Sequence, residues 1–142
     1  QAMGTTTIPW RPTGEGAMTA VRIPDRIDVL ARTASGVHVH FRIAEWGEPR
    51  GSRVVLRGSE GTLWIDNGEL SGVLRGESQR HPITIPSGEA VGWRVEQDFV
   101  DAILGRGEIE LTDFATGVAY MDFTEAVSRS MQTGATVHLP LA

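Results

Sequence analysis

His38 and His40 stand one residue apart in the run Val37-His38-Val39-His40-Phe41-Arg42, and an extended chain puts both imidazoles on one side. That spacing can serve a zinc ion. A third ligand is needed, however, and His81 and His138 are distant in sequence. Arg32, Arg42 and Arg57 fall on the same expected side, where they would repel a cation. The pair therefore reads as polar positions of a cleft or interface, and no metal site is expected. Carboxylates could do acid–base work, but Glu96, Asp98 and Asp101, and Asp122 with Glu125, have the spacing of solvated or ion-paired helix surfaces. Ser59 lies in Gly58-Ser59-Glu60-Gly61, which is not the G-x-S-x-G of a strand–elbow–helix nucleophile. Trp46 and Tyr120 offer ring area for stacking on a sugar, with rim or core packing as the alternative use. No catalytic constellation emerges.

Composition narrows the chemistry further. All thirteen basic residues are arginine. Without lysine there is no Walker-type phosphate loop and no Schiff base. Without cysteine there is no disulfide, thiolate metal site or thiol nucleophile. The formal charge of −5, with arginines scattered, gives no footprint for nucleic acid. No apolar run is long enough to cross a bilayer and no signal-peptide core is apparent; the expectation is a cytoplasmic protein without membrane contact.

The elements that must position these side chains follow from periodicity. Residues 1–16 show none and read as a flexible lead-in, with Gln1-Ala2-Met3 resembling a cloning scar; residues 17–142 read as one domain. From residue 17 to 66 the period is two. Strands are expected over Ile27–Arg32, Val37–Arg42, Val54–Arg57 and Thr62–Asp66, and shorter ones near 68–74, 81–85 and 136–139. Gly58-Ser59-Glu60-Gly61 joins two alternating runs with no helix after it, so it reads as a hairpin loop with glycines placed for positive φ rather than as a phosphate cradle. The last third turns helical: one helix from about 91 to 104, stopped by Gly105, and a mostly buried one from 113 to 132, capped by Thr112 and ended by Gly134. Strands first and helices later predict an α+β fold, an open, mainly antiparallel β-sheet with two principal helices packed on one face.

Alternation sorts the sheet faces. Val29, Val37, Val39, Phe41, Val54, Leu56, Leu63 and Ile65 form the expected core side. The other side carries Leu30, Arg32, His38, His40, Arg42, Arg53, Val55, Arg57, Thr62 and Trp64. Arginine mixed with Trp, Leu and Val suits a protein contact better than a solvated face. A homo-oligomer through Leu30, Arg32, Arg42, Arg53, Val55, Arg57 and Trp64 is the expected form of it. His38, His40 and Trp46 are the candidates for substrate or interface contact.

Four stretches together resemble the glucose–fructose oxidoreductase / inositol dehydrogenase (Gfo/Idh/MocA) family. They are the strand pair around Ile27–Arg42, the hairpin Val54–Asp66 with its GSEGTL, the helix Glu96-Gln97-Asp98-Phe99-Val100-Asp101-Ala102-Ile103, and the closing segment Thr112–Gly134 before Val137 and Pro140. They stand in the family's order and cover about residues 17–140. The resemblance implies the later part of the family's C-terminal domain, which walls the substrate site and commonly mediates oligomerisation. It also implies an N-terminal Rossmann domain as the missing partner, with NAD or NADP as its cofactor and a sugar, cyclitol or similar polyol as substrate. The family's glycine-rich fingerprint, its E-K-P lysine and its D-x-x-x-H histidine are all absent from this sequence, so no catalytic or cofactor-binding residue carries over. The implied fragment is catalytically silent by itself. The competing expectation, from the residues alone, is a stand-alone α+β binding or assembly module.

Overall fold

The computed structural model describes residues 1–45, 51–90, 92–109 and 113–141. In chain order its strands are β1 (Ala2–Thr5), β2 (Trp10–Pro12), β3 (Met18–Ala20), β4 (Arg26–Arg32), β5 (His38–Ala44), β6 (Arg53–Arg57), β7 (Gly61–Asp66), β8 (Glu69–Leu74) and β9 (His81–Pro82), followed by helices α1 (Val95–Ile103) and α2 (Phe114–Thr133). The fold is α+β with open sheets, as the switch in period implies. The described pairings are all antiparallel and form three ladders, β1-β4-β5, β2-β3 and β6-β7-β8-β9. Two compact units result: Gln1–Gly47 with Gly107–Ala142, and Glu48–Arg106.

In the first unit, the lead-in expected to be structureless begins with a strand. β1 pairs Ala2 with Val29 and Thr5 with Arg26. Four residues are too few for a period to show, and the partner strand supplies the order instead. β1 is also where α2 docks. Gly4 makes the approach possible, because a Cβ there would meet Met131 Sδ at 2.7 Å and Pro24 Cγ at 2.8 Å. Ser130 Oγ accepts from Ala2 N at 2.9 Å and donates to Ala135 O at 2.6 Å. Phe41 of β5 meets Phe123 with ring centroids 5.4 Å apart.

The core here is thin. Ala2, Val29 and Ala126 are the buried apolar residues among those described. α2 is not mostly buried: its C-terminal half supplies Ala126 and Ser130, whereas Phe114, Val118 and Met121 stay exposed, Phe114 at 83%. The stripe identified its apolar side but could not say how much of the helix has a surface beneath it. The cap is Asp113, whose carboxylate accepts from Thr116 N at 2.7 Å; Thr112 lies outside the described residues. Gly134 closes the helix at φ 69°, as expected. Residues 136–139 are not strand.

The β2–β3 arm is anchored by Asp25. Its carboxylate accepts from Thr7 N at 2.8 and 3.0 Å and from Ile8 N at 2.9 Å. The Thr7 backbone bond chiefly, with that of Ile8, holds this carboxyl below its ordinary range. A depressed folded pKa stabilises fully above the ordinary value of 3.8 and is lost as pH falls through the folded one. Asp25→Asn should therefore lower the melting temperature at pH 7 and flatten its further fall below about pH 4. An unchanged acid limb in a thermal melt series would contradict this role.

In the second unit the GSEG loop is a hairpin, with Arg57 opposite Thr62 and Gly58 N bonded to Gly61 O at 2.9 Å. Its glycines are not there for positive φ: neither Gly58 nor Gly61 is among the positive-φ residues. Gly61 is small because β8 crosses it closely, leaving no room for a Cβ beside the Val73 carbonyl oxygen. Positive φ belongs to the next turn, Asn67 (51°) and Gly68 (90°), a two-residue loop between Asp66 and Glu69. Val54, Leu56, Leu63 and Ile65 share a face as the alternation requires, yet all four remain exposed, and α1 has no buried residue.

Candidate functional site

The residues singled out in the sequence occupy one face in each unit. In the first, Arg32 lies opposite His38, Leu30 opposite His40, and Asp28 opposite Arg42. Asp28 gathers basic side chains: Arg26 Nε at 3.3 Å, His40 Nε2 at 3.4 Å and Arg42 Nε at 3.9 Å. Burial would raise this carboxyl; hydrogen bonds from Arg26 and His40 with the charge of Arg42 outweigh it and hold it low. Thr33–Val37 closes the hairpin, Thr33 N bonding Val37 O and Thr33 Oγ1 accepting from Val37 N.

In the second unit, Arg53, Val55 and Arg57 of β6 face Asp66, Trp64 and Thr62 of β7. Asp66 bridges Arg53 and Arg80, and these two bonds, Arg80's first, depress its pKa. Arg80 also donates to Ser71 Oγ at 2.6 Å and lays its guanidinium 4.7 Å from the Trp64 ring centroid. Sequence reasoning missed Arg80; the only signal was a Trp and an Arg at the two ends of one strand meander. Trp46 lies outside the described residues, and Tyr120 is exposed on α2.

One open groove of about 1060 Å³ runs along the first unit. Val29, Phe123, Ala126, Val127 and Leu139 form its apolar part, and Arg32, His38, His40 and His138 its polar part. His138, distant from the pair in sequence, lines the same groove. Among the described residues no group of three His, Asp or Glu could hold a metal. Of the carboxylates weighed for acid–base work, Asp98 pairs with Arg94 at 3.3 Å, Glu125 pairs with Arg129 at 2.8 Å, and Glu96 accepts a hydrogen bond from Trp93 Nε1 at 2.6 Å. The described ladders are antiparallel, and the helices start at Arg94 and Asp113 rather than at a glycine-rich turn after a parallel strand. No described helix is long and apolar enough to cross a membrane.

No protein-family model matches the chain, and no curated protein matches it. Solved structures do match its fold. An oxidoreductase domain protein from Kribbella flavida is 21% identical with a TM-score of 0.78. A levoglucosan dehydrogenase, solved in complex with NADH and L-sorbose, is 23% identical with a TM-score of 0.79. Each match covers 99% of this chain but 44% of the other. The chain therefore spans less than half the length of the structures it resembles.

Proposed function

We propose that this chain is the substrate-side and assembly domain of an NAD(P)-dependent oxidoreductase acting on a sugar, cyclitol or similar polyol. The observation that carries the proposal is the fold match over 99% of the chain to 44% of a dehydrogenase solved with NADH and a sugar. The dinucleotide site belongs, in this reading, to a Rossmann domain outside these residues. His38 and His40, with Trp46, contribute to the substrate wall or an interface. The face bearing Leu30, Arg32, Arg42, Arg53, Val55, Arg57 and Trp64 is an assembly surface for further copies.

NADH titrated into this chain, followed by nicotinamide fluorescence, should give no saturable signal. Stoichiometric binding would overturn the division of roles. The exposed apolar residues of β6, β7 and α2 favour a second reading, an assembly module with no enzymatic parent. Mass spectrometry of the endogenous polypeptide separates the two. Lysine-containing peptides upstream, in a chain more than twice this length, support the enzyme; a native chain of this length supports the module.

A further inference from the structure

We infer that the free edge of β5 pairs with the β5 edge of a second copy of this chain, antiparallel and centred on Phe41, so that two three-stranded ladders join into one sheet. The contact runs along a strand edge. It is separate from the sheet-face surface proposed above and does not rest on the oxidoreductase reading.

The first observation is which edge the fold leaves open. In the first unit the order is β1-β4-β5, and α2 docks at β1, where Ala2 N bonds Ser130 Oγ. β5 has β4 on one side and no described strand on the other. It pairs with β4 in unbroken one-to-one register from Arg26–Ala44 to Arg32–His38, so no bulge twists the edge away. None of its seven residues is proline or lysine. A long, regular edge without those devices is a template for another strand.

The second observation is the direction of the backbone groups. The bonds from Thr33 N to Val37 O and from Glu45 N to Asp25 O bracket the β4–β5 ladder, and bonded pairs alternate along an antiparallel ladder. Val39, Phe41 and Ile43 therefore bond inward to β4. The N–H and C=O groups of His38, His40, Arg42 and Ala44 point out from the edge, and among the described residues nothing accepts from those four amides.

The third observation is that this edge is complementary to itself. A two-fold axis at Phe41 sets His38 opposite Ala44, Val39 opposite Ile43 and His40 opposite Arg42 of the second copy. Every outward-bonding residue then meets another, and the whole strand is paired. On the side where Phe41 meets Phe123, the pairs are all apolar. Phe41 meets its own copy at a non-hydrogen-bonded position, where side chains come closest. Phe41 and Ile43 are 40% and 59% exposed, so there is apolar area to cover. On the other side Asp28 lies against both His40 and Arg42 and offsets the positive charge that pairing gathers. β6 is the counter-example. The same operation centred on Val55 would oppose Arg53 and Arg57 at both ends, and Asp66, which pairs with Arg53, is already shared with Arg80.

The test is sedimentation velocity of the full chain over a concentration series, with hydrogen exchange read amide by amide. The chain should dimerise reversibly as concentration rises. The dimer should newly protect the amides of His38, His40, Arg42 and Ala44, whereas those of Val39, Phe41 and Ile43 are protected at every concentration. His40→Pro removes one outward N–H and leaves the inward ladder intact, so it should weaken dimerisation roughly tenfold or more. His40→Gln, which keeps the N–H, should dimerise like the parent. A chain that stays monomeric throughout would overturn the proposal. So would a dimer that gives no added protection to the four outward amides, a result read on the parent chain and independent of how well His40→Pro folds. A dimer that a folded His40→Pro leaves intact would overturn it as well, because the sheet face or another edge would then be the contact.

Discussion

Gly61→Ala should destabilise the four-stranded ladder by about 2–4 kcal/mol, although alanine is a milder strand residue than glycine. The reason is space rather than backbone torsion. A Cβ at position 61 would collide with the Val73 carbonyl oxygen and come within 3.1 Å of Leu74 Cα and 3.2 Å of Val73 C. All three are backbone atoms of β8, so relief requires parting β7 from β8 along the register Gly61–Leu74. Gly58 is the internal control. It belongs to the same loop, but a Cβ there meets only Gly61 O, at 3.8 Å, and Gly58→Ala should be within about 0.5 kcal/mol of the parent. Urea unfolding of the two variants decides the matter. Equal losses would mean that the loop conformation, not the strand crossing, requires glycine.

The same pair of glycines marks how far the sequence could be read. Alternation located the β4–β5 and β6–β7 hairpins and sorted their side chains correctly, because a strand's period of two is local information. Which glycine is needed for torsion and which for clearance is not local. It depends on β8, several residues later. Asn67-Gly68 was a legible turn signal that the GSEG pattern overshadowed. The apolar stripes of α2 and β6–β7 were legible as stripes, yet periodicity says nothing about whether a surface lies opposite, and much of each remains exposed. In the first unit, His38 and His40, and Arg32 on the same face, were legible together because they share one hairpin. His138 was not, because a chain segment nearly 100 residues further on brings it in, and only the docking of α2 on β1 determines where that segment runs.

Ser130→Ala should cost roughly 1–3 kcal/mol, a large effect for the loss of one oxygen. Ser130 is 3% exposed, and its hydroxyl is a relay between two backbone groups, accepting from Ala2 N and donating to Ala135 O. Truncation orphans the buried Ala2 amide, which carries a desolvation penalty of about 1–3 kcal/mol, while the carbonyl of the exposed Ala135 can turn to water. Ser128→Ala, which removes a hydroxyl that accepts from Gln132 Nε2 at 3.2 Å on the exposed side of α2, should be nearly silent. Thermal melts give the ranking, and amide exchange gives the location: the β1 amides should lose protection in Ser130→Ala and keep it in Ser128→Ala. If the two variants melt together, the relay is not what fastens β1 to α2.

That fastening has a consequence for how the protein is made. The second unit, Glu48–Arg106, is one uninterrupted stretch, whereas the first is assembled from both sides of it. A ribosome delivers Ala2 first and its partner Ser130 after 128 more residues, a delay of about 6–25 s at 5–20 residues per second. β1, β4 and β5 can pair meanwhile, but the surface that α2 will cover stays bare until synthesis has passed the whole middle of the chain. The middle therefore completes before the flanks. A nascent chain stalled after Arg106 would present an unfinished first unit, with Val29 and Phe41 uncovered, as the natural substrate for a holding chaperone.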